Sequence, residues 1–289
     1  MDAVINMLTL WAESNDSVRA MLLTSSRAKL DASVDDLSDF DVLLIVSDIT
    51  PFHTDRSWIK DFGRVLVAYW DPVQGVPEVP EFSMVGSVVQ YENDYHIDFI
   101  VWPIGIIQQI VAAQNLPDGL DDGYRVLLDK DGLADSLPAP TCTAYIPKKP
   151  TEAEYLQCIE YFFSDIPYVA KCLWRDELAP AKWCLDYDMK YNFLFKMLEW
   201  WIAHQHDWAI AVGVNGRGLK KHLPQKYWAK LEATYCGADI DSNWDALFSS
   251  ITFFRQVAIE VGQYLEYTYP HALDKGVTAH TERVRAKSH

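Results

Sequence analysis

The feature that most constrains this chain is a pair of aspartates at the mouth of a buried strand. Residues 25–46 read SSRAKLDASVDDLSDFDVLLIV. Asp39 and Asp41 lead straight into Val42-Leu43-Leu44-Ile45-Val46, a short, β-branched apolar run that reads as a strand. Side chains alternate faces along a strand, so Asp39 and Asp41 project to the same side at its entry. Two carboxylates on one face repel unless a cation lies between them. Mg²⁺ meets that need, because it is commonly held by one or two protein carboxylates together with substrate phosphates.

A D-x-D pair at a strand start is by itself more often a solvated turn, and two further features shift the balance. Upstream lies Ser25-Ser26-Arg27, a small-residue turn whose backbone N–H groups and hydroxyls can cradle phosphate and whose guanidinium can bind its oxygens bidentately. Downstream lies Asp98, in the second strand-like run His96-Ile97-Asp98-Phe99-Ile100-Val101-Trp102. An unpartnered carboxylate among such apolar neighbours is costly to bury. Neighbouring strands lie about 5 Å apart, so pairing of the two runs brings Asp98 to the other two acids. Three converging carboxylates can hold two metal ions on a triphosphate. Asp39, Asp41 and Asp98 are therefore the candidate metal ligands, and Ser25, Ser26 and Arg27 the candidate nucleotide-binding turn.

The formal net charge of −16 removes the basic stripe that nucleic-acid binding needs. Acidity also suits a small cationic ligand, although it equally serves solubility. Cys142, Cys158, Cys172, Cys184 and Cys236 are odd in number and lack C-x-x-C spacing, which reads as reduced thiols of a cytoplasmic protein. No basic-then-apolar signal region opens the chain, and no apolar run approaches the ~18 residues of a membrane span.

The expected fold class is α+β. Val4, Ile5, Leu8 and Trp11 fall at helical spacing in residues 2–13, and Val18 to Leu23 reads as the first strand. After the D-x-D strand come a helix near 56–62 and a strand at 65–70. A proline-rich, mobile loop is expected at 71–80, followed by strands at 84–91 and 95–101, a helix from Pro103 to about Ala113, and a last strand at 124–129. Residues 137–150, with four prolines, read as a linker. Helical periods follow near 152–177, 182–206, 224–235 and 243–268, a mostly helical bundle. The expected division is a catalytic sheet domain over 1–136, the linker, and a helical domain over 151–289.

A small-small-Arg turn, a D-x-D opening a strand and a lone aspartate on a later strand resemble the polymerase-β-type nucleotidyltransferases. The stretches SSRA, SDFDVLLIVSD, IDFIVWPI, VLLDKDG, LWRDEL, MLEWWIA, LKKHLP and WDALF narrow this to the aminoglycoside 6-nucleotidyltransferases, the streptomycin adenylyltransferases. They spread over nearly the whole chain. One departure is clear: the family's turn is Gly-Ser-Arg, and here Ser25 replaces the glycine, which allows backbone conformations serine takes at a cost.

The resemblance implies metal-dependent transfer of AMP from ATP to an aminoglycoside hydroxyl, with pyrophosphate leaving. It implies a helical substrate-binding domain and favours a general base from that domain. Glu177, Asp186 and Asp188 are the candidate acids there; Glu177 is taken as the base, with Asp98 as the competitor. Two other readings stay open: a different hydroxylated acceptor, or a nucleotide-binding regulatory protein without catalysis. Three clustered, mutually repelling aspartates argue against the last.

Overall fold

The computed structural model describes residues 3–29, 34–76 and 79–288. Two compact units divide the chain, Met1–Tyr145 and Ile146–His289.

In the first unit, helix α1 (Ala3–Ser14) leads into strand β1 (Val18–Thr24), and a 3₁₀ turn, Ser25–Ala28, follows directly. Then come β2 (Phe40–Val46), β3 (Val65–Trp70), β4 (Gln74–Val76), β5 (Val79–Tyr91), β6 (His96–Pro103), helix α2 (Ile104–Ala113) and β7 (Tyr124–Asp129). Among the described residues they form a seven-stranded mixed sheet of order β3-β5-β6-β2-β1-β7, with β4 paired to β5. Only β2 and β6 run parallel among the described pairs, and they occupy its centre.

The apolar run in β2 is continuous because both faces of the sheet are covered. Val42, Leu44 and Val46 pack on one side with α1 and with Ile59 and Phe62 of a 3₁₀ segment, Arg56–Phe62. Leu43 and Ile45 pack on the other with Ile106, Ile107 and Ile110 of α2. Asp41 shares its strand parity with Leu43 and Ile45, and Asp98 with Ile100 and Trp102. Both acids thus lie on the α2 side, beyond the end of its hydrophobic cover.

Two local expectations differ. Residues 56–62 form a 3₁₀ segment, in which the Asp55 side chain accepts from the Ser57 N–H and biases the entry toward a tight turn. The expected loop at 71–80 is instead partly strand, because β4 pairs with the early part of β5, while residues 77 and 78 lie outside the described residues.

The second unit is helical. Helix α3 (Glu152–Trp174) begins with a reciprocal cap in which Thr151 and Glu154 satisfy each other's backbone donors. Then come α4 (Leu178–Lys182), a π-helix (Trp183–Leu194), α5 (Phe195–Gln205), α6 (Gln225–Glu232), α7 (Ile240–Leu265) and α8 (His271–Arg285). The sequence pattern anticipated neither the π-helix nor α8. α8 has few buried residues, so its apolar period is weak. It is fastened by a charge: Asp274, 5% exposed, faces Arg255 of α7 through paired hydrogen bonds, one of 2.6 Å, and also accepts from Tyr269. Burial pushes the Asp274 pKa up, but the Arg255 and Tyr269 hydrogen bonds outweigh it and hold the carboxyl below its usual range.

Removing one partner of a buried ion pair costs roughly 3–5 kcal/mol, and because Arg255 keeps some exposure the low end applies, about 3 kcal/mol. Asp274→Ala should therefore lower the unfolding free energy of the helical unit by that order, read as a lower urea midpoint. The contribution of a depressed carboxylate exists above its unfolded pKa and fades as pH falls through the folded value, so the gap between wild type and variant should close in acid. Denaturation followed by tryptophan fluorescence at neutral and acid pH checks both parts.

Candidate active site

The parallel pairing of β2 with β6 sets Asp41 directly beside Asp98. On the other side of β2, Thr24 at the end of β1 is in register with Asp41, so the chain leaves β1 for the Ser25 turn right next to that carboxylate. The Ser25 hydroxyl hydrogen-bonds Asp41. Asp39 lies just before β2, close enough for its charge to act on both Asp41 and Asp98. The Asp41 pKa is pushed up to about 6, by burial first, then by the Asp98 and Asp39 charges, against the Ser25 hydrogen bond and His96. Asp98 is also raised, by burial first and by Asp39, with His96 opposing.

Asp41 and Asp98, which resist ionisation side by side, together with the neighbouring Asp39 carboxylate are a donor set for a divalent cation, which inverts that cost. The residues present fit Mg²⁺ on this chemistry.

His96 extends the site in a way the sequence reading missed. Its Nε2 lies 3.0 Å from Asp98 Oδ1, and its Nδ1 lies 3.2 Å from Gln90 Oε1. The Gln90 amide nitrogen donates to the Tyr91 and Tyr95 carbonyls, which orients its oxygen toward the imidazole. Nδ1 therefore carries its proton toward Gln90, and Nε2 is directed at Asp98. The available signal was position: His96 precedes Asp98 by two residues and shares its face.

Ser25 has φ +59°, in the left-handed region. Glycine takes that conformation freely, while another residue gives up about 1–2 kcal/mol. The sequence reading assigns Arg27 to phosphate; in the structure its guanidinium grips the approach to β2. Nε donates to the Asp39 carbonyl at 3.0 Å and Nη2 to the Ser38 carbonyl at 2.8 Å, while the group lies 3.8 Å over the Phe40 ring. Arg27 thus fixes the backbone that carries Asp39.

The acids of the helical unit have different surroundings. Glu177 is exposed at the start of α4, and its backbone N–H closes the corner by donating to the Cys172 carbonyl at 2.9 Å. Asp186 is bracketed by Lys182, at 2.5 Å, and by the fully buried Lys190, so its charge is already matched. Asp188 accepts from Asn192 at 2.5 Å and lies with Asp165 and Cys184 in a group whose ligand atoms are all within 4.8 Å of one another. Burial and Asp188 push the Asp165 pKa up to about 6. Asp165 was missed because this grouping depends on the π-helix, whose wider turn places side chains differently from the α-helical period read from sequence.

The model of the streptomycin adenylyltransferase family matches residues 1–284. The chain belongs to that family. It is thereby an enzyme of the nucleotidyltransferase class. Three relatives bear the name aminoglycoside 6-adenylyltransferase. The Bacillus subtilis (strain 168) protein is 29% identical over 276 residues, covering 95% of this chain and 94% of its own length. The Campylobacter jejuni protein is 28% identical over 273 residues, covering 93% and 89%. The Staphylococcus aureus protein is 26% identical over 276 residues, covering 93% of each. A crystal structure of an aminoglycoside 6-adenyltransferase from Bacillus subtilis aligns over 99% of this chain and 100% of its own, at 23% identity and a TM-score of 0.46.

The raised Asp41 pKa carries a sign that can be measured. Folding favours its protonated form, so the stability it contributes is present at low pH and lost as pH rises toward about 6. Asp41→Asn should accordingly stabilise the metal-free protein at pH 7 by on the order of 1–2 kcal/mol, and hardly at all at pH 4. Urea denaturation of chelator-treated protein at the two pH values reads this directly.

Proposed function

We propose that this protein transfers AMP from ATP to a hydroxyl group of a cationic aminoglycoside such as streptomycin and releases pyrophosphate, and so confers resistance to the antibiotic. The observation that carries the proposal is the in-register pair Asp41 and Asp98, with Asp39 beside them and a serine turn directly after β1. Phosphoryl-type transfer asks little covalent chemistry of a protein and much positioning and charge stabilisation.

Asp39, Asp41 and Asp98 are the residues that would hold Mg²⁺, whose charge, when bound, offsets that of the phosphates. In this reading the backbone N–H groups and hydroxyls of Ser25 and Ser26 receive the β- and γ-phosphates. Arg27 holds the loop that presents Asp39. Glu177 takes the proton from the acceptor hydroxyl as its oxygen attacks the α-phosphorus; the bond from phosphorus to the bridging oxygen breaks and pyrophosphate leaves. Glu177 suits this role better than Asp186, whose charge is spent on two lysines, or Asp98, which is engaged by His96.

Several features favour a cationic sugar as acceptor. The net charge of −16 concentrates cations near the surface. Charge-assisted hydrogen bonds from guanidinium or ammonium groups to carboxylates such as Glu177 and Asp188 would orient one hydroxyl. Trp183, Tyr187 and Tyr191 form an exposed aromatic row along the π-helix, with ring centroids 6.4 and 6.0 Å apart, suited to lying against sugar faces. A cytoplasmic setting, where ATP and reduced thiols coexist, completes this reading.

Incubation of purified protein with ATP, Mg²⁺ and streptomycin should release pyrophosphate and yield an adduct heavier by one AMP unit in mass spectrometry. An adduct on another amino-sugar alone would change the acceptor; nucleotide binding with no ATP consumed across a broad acceptor screen would refute the transferase reading.

Glu177→Gln should lower kcat by roughly 10²–10⁴-fold, the range for a lost general base, with ATP affinity nearly unchanged. Steady-state kinetics beside calorimetric ATP binding separates the two, and a variant of full kcat would remove Glu177 from the chemistry.

A further inference from the structure

The helical unit holds a second cluster of ligating side chains. Asp165 lies on α3, and Cys184 and Asp188 lie about one turn apart on the π-helix packed against it. One ligand atom from each lies within 4.8 Å of the other two. Cys184 is buried, whereas both aspartates are half-buried and keep contact with solvent. Asp165 and Cys184 take no part in the proposed transfer.

Two observations point to a ligand rather than to a solvated pair of acids. Cys184 is 2% exposed, and its thiol faces the two carboxyl groups without a hydrogen bond among the described residues. Asp165 supplies a second orphan, because its Oδ2 is buried with no hydrogen-bond partner among the described residues. Buried polar atoms are costly to leave unpaired. The charges add to that cost. Burial first and then Asp188 push the Asp165 pKa up to about 6, and burial, then Asp165 and Asp188, push the Cys184 thiol up to about 12. No basic side chain offsets either shift. Three potential ligands thus crowd one point that lacks a positive charge.

We infer that Asp165, Cys184 and Asp188 form a site for a thiophilic divalent cation of the Zn²⁺ class, which pins α3 to the π-helix. The donor set decides the class. Mg²⁺ and Ca²⁺ take oxygen ligands, whereas Zn²⁺ is bound by cysteine sulfur and carboxylate oxygen together. Three protein ligands leave a position for water, which the half-buried carboxylates keep within reach of solvent. On binding, Zn²⁺ displaces the thiol proton to solvent, and its charge answers the repulsion among the thiolate and the two carboxylates. The site differs from the three aspartates of the sheet unit in residues and in metal class, so it stands independently of the AMP-transfer reading. Occupancy steadies the π-helix that carries Trp183, Tyr187 and Tyr191 and engages Asp188, leaving Glu177 as the carboxylate free for an acceptor.

Titration of chelator-treated, full-length protein with Co²⁺ and Zn²⁺ in excess Mg²⁺ tests the site, because the Mg²⁺ keeps the all-oxygen aspartates of the sheet unit occupied. Wild type should develop a near-ultraviolet thiolate-to-cobalt charge-transfer band that Mg²⁺ leaves intact and Zn²⁺ removes by displacement. Zn²⁺ should also raise the urea midpoint of the helical unit, since it binds the folded form. Cys184→Ser should lose the band. Asp165→Asn removes a charge that burial disfavours and so should fold even if Cys184→Ser does not. It should weaken Zn²⁺ by at least roughly 10–100-fold, the scale already set by loss of a metal's outer-shell partner, and shrink the gain in midpoint. A wild type without the band, a band that survives Cys184→Ser, or Asp165→Asn with unchanged Zn²⁺ affinity would overturn the site. If Zn²⁺ gives neither band displacement nor added stability, a proton shared by Asp165 and Asp188 holds the group together and the metal assignment is wrong.

Discussion

The repulsion between Asp41 and Asp98 is the constraint on which the sheet unit depends. Two central strands run parallel and in register so that two carboxyl groups meet at their ends. Nothing in that pairing favours folding, and the raised Asp41 pKa records its cost. The cost is borne by the rest of the sheet. Val42 to Val46 are buried on both faces, α1 and α2 cover the two sides, and the Trp58, Phe62 and Phe99 rings pack beneath, with centroids 4.9 and 5.3 Å apart for the Phe99 pairs. A stiff apolar slab can hold polar groups in a position they would not choose, which is the arrangement electrostatic preorganisation requires.

The parts of the site that were legible in the sequence are those governed by local rules. Strand alternation is enough to put Asp39 and Asp41 together, and an acid inside an apolar strand marks Asp98 as a residue in need of a partner. The mixed sheet followed by helices was legible for the same reason: the hydrophobic period changes at the proline-rich segment. What stayed hidden depends on contacts between distant residues or on departures from regular geometry. Arg27 looks like any phosphate-binding arginine until the loop from Asp35 to Asp39 folds back onto it. Asp186 looks like a free acid until Lys182 and Lys190 close on it. The grouping of Asp165 with Cys184 and Asp188 exists because residues 183–194 wind as a π-helix, which no count of 3.6-residue periods foretells.

Ser25 shows how a strained residue and a hydrogen bond to a carboxylate can coincide. Its left-handed backbone is unfavourable for serine, yet that same conformation delivers a hydroxyl to Asp41 that glycine could not supply. The substitution therefore exchanges backbone ease for a hydrogen bond to one carboxylate of the cluster, and the two effects oppose each other.

The grip of Arg27 has a consequence of another kind. Its donors close on main-chain carbonyls of Asp35, Ser38 and Asp39, groups every amino acid possesses. A clamp of that sort is blind to side-chain identity. The loop leading to β2 can change its lettering and keep its path, so variation there can retune the surface around the three aspartates without moving Asp39. A single arginine thereby separates the freedom of a loop to evolve from the obligation of one aspartate to stay in place.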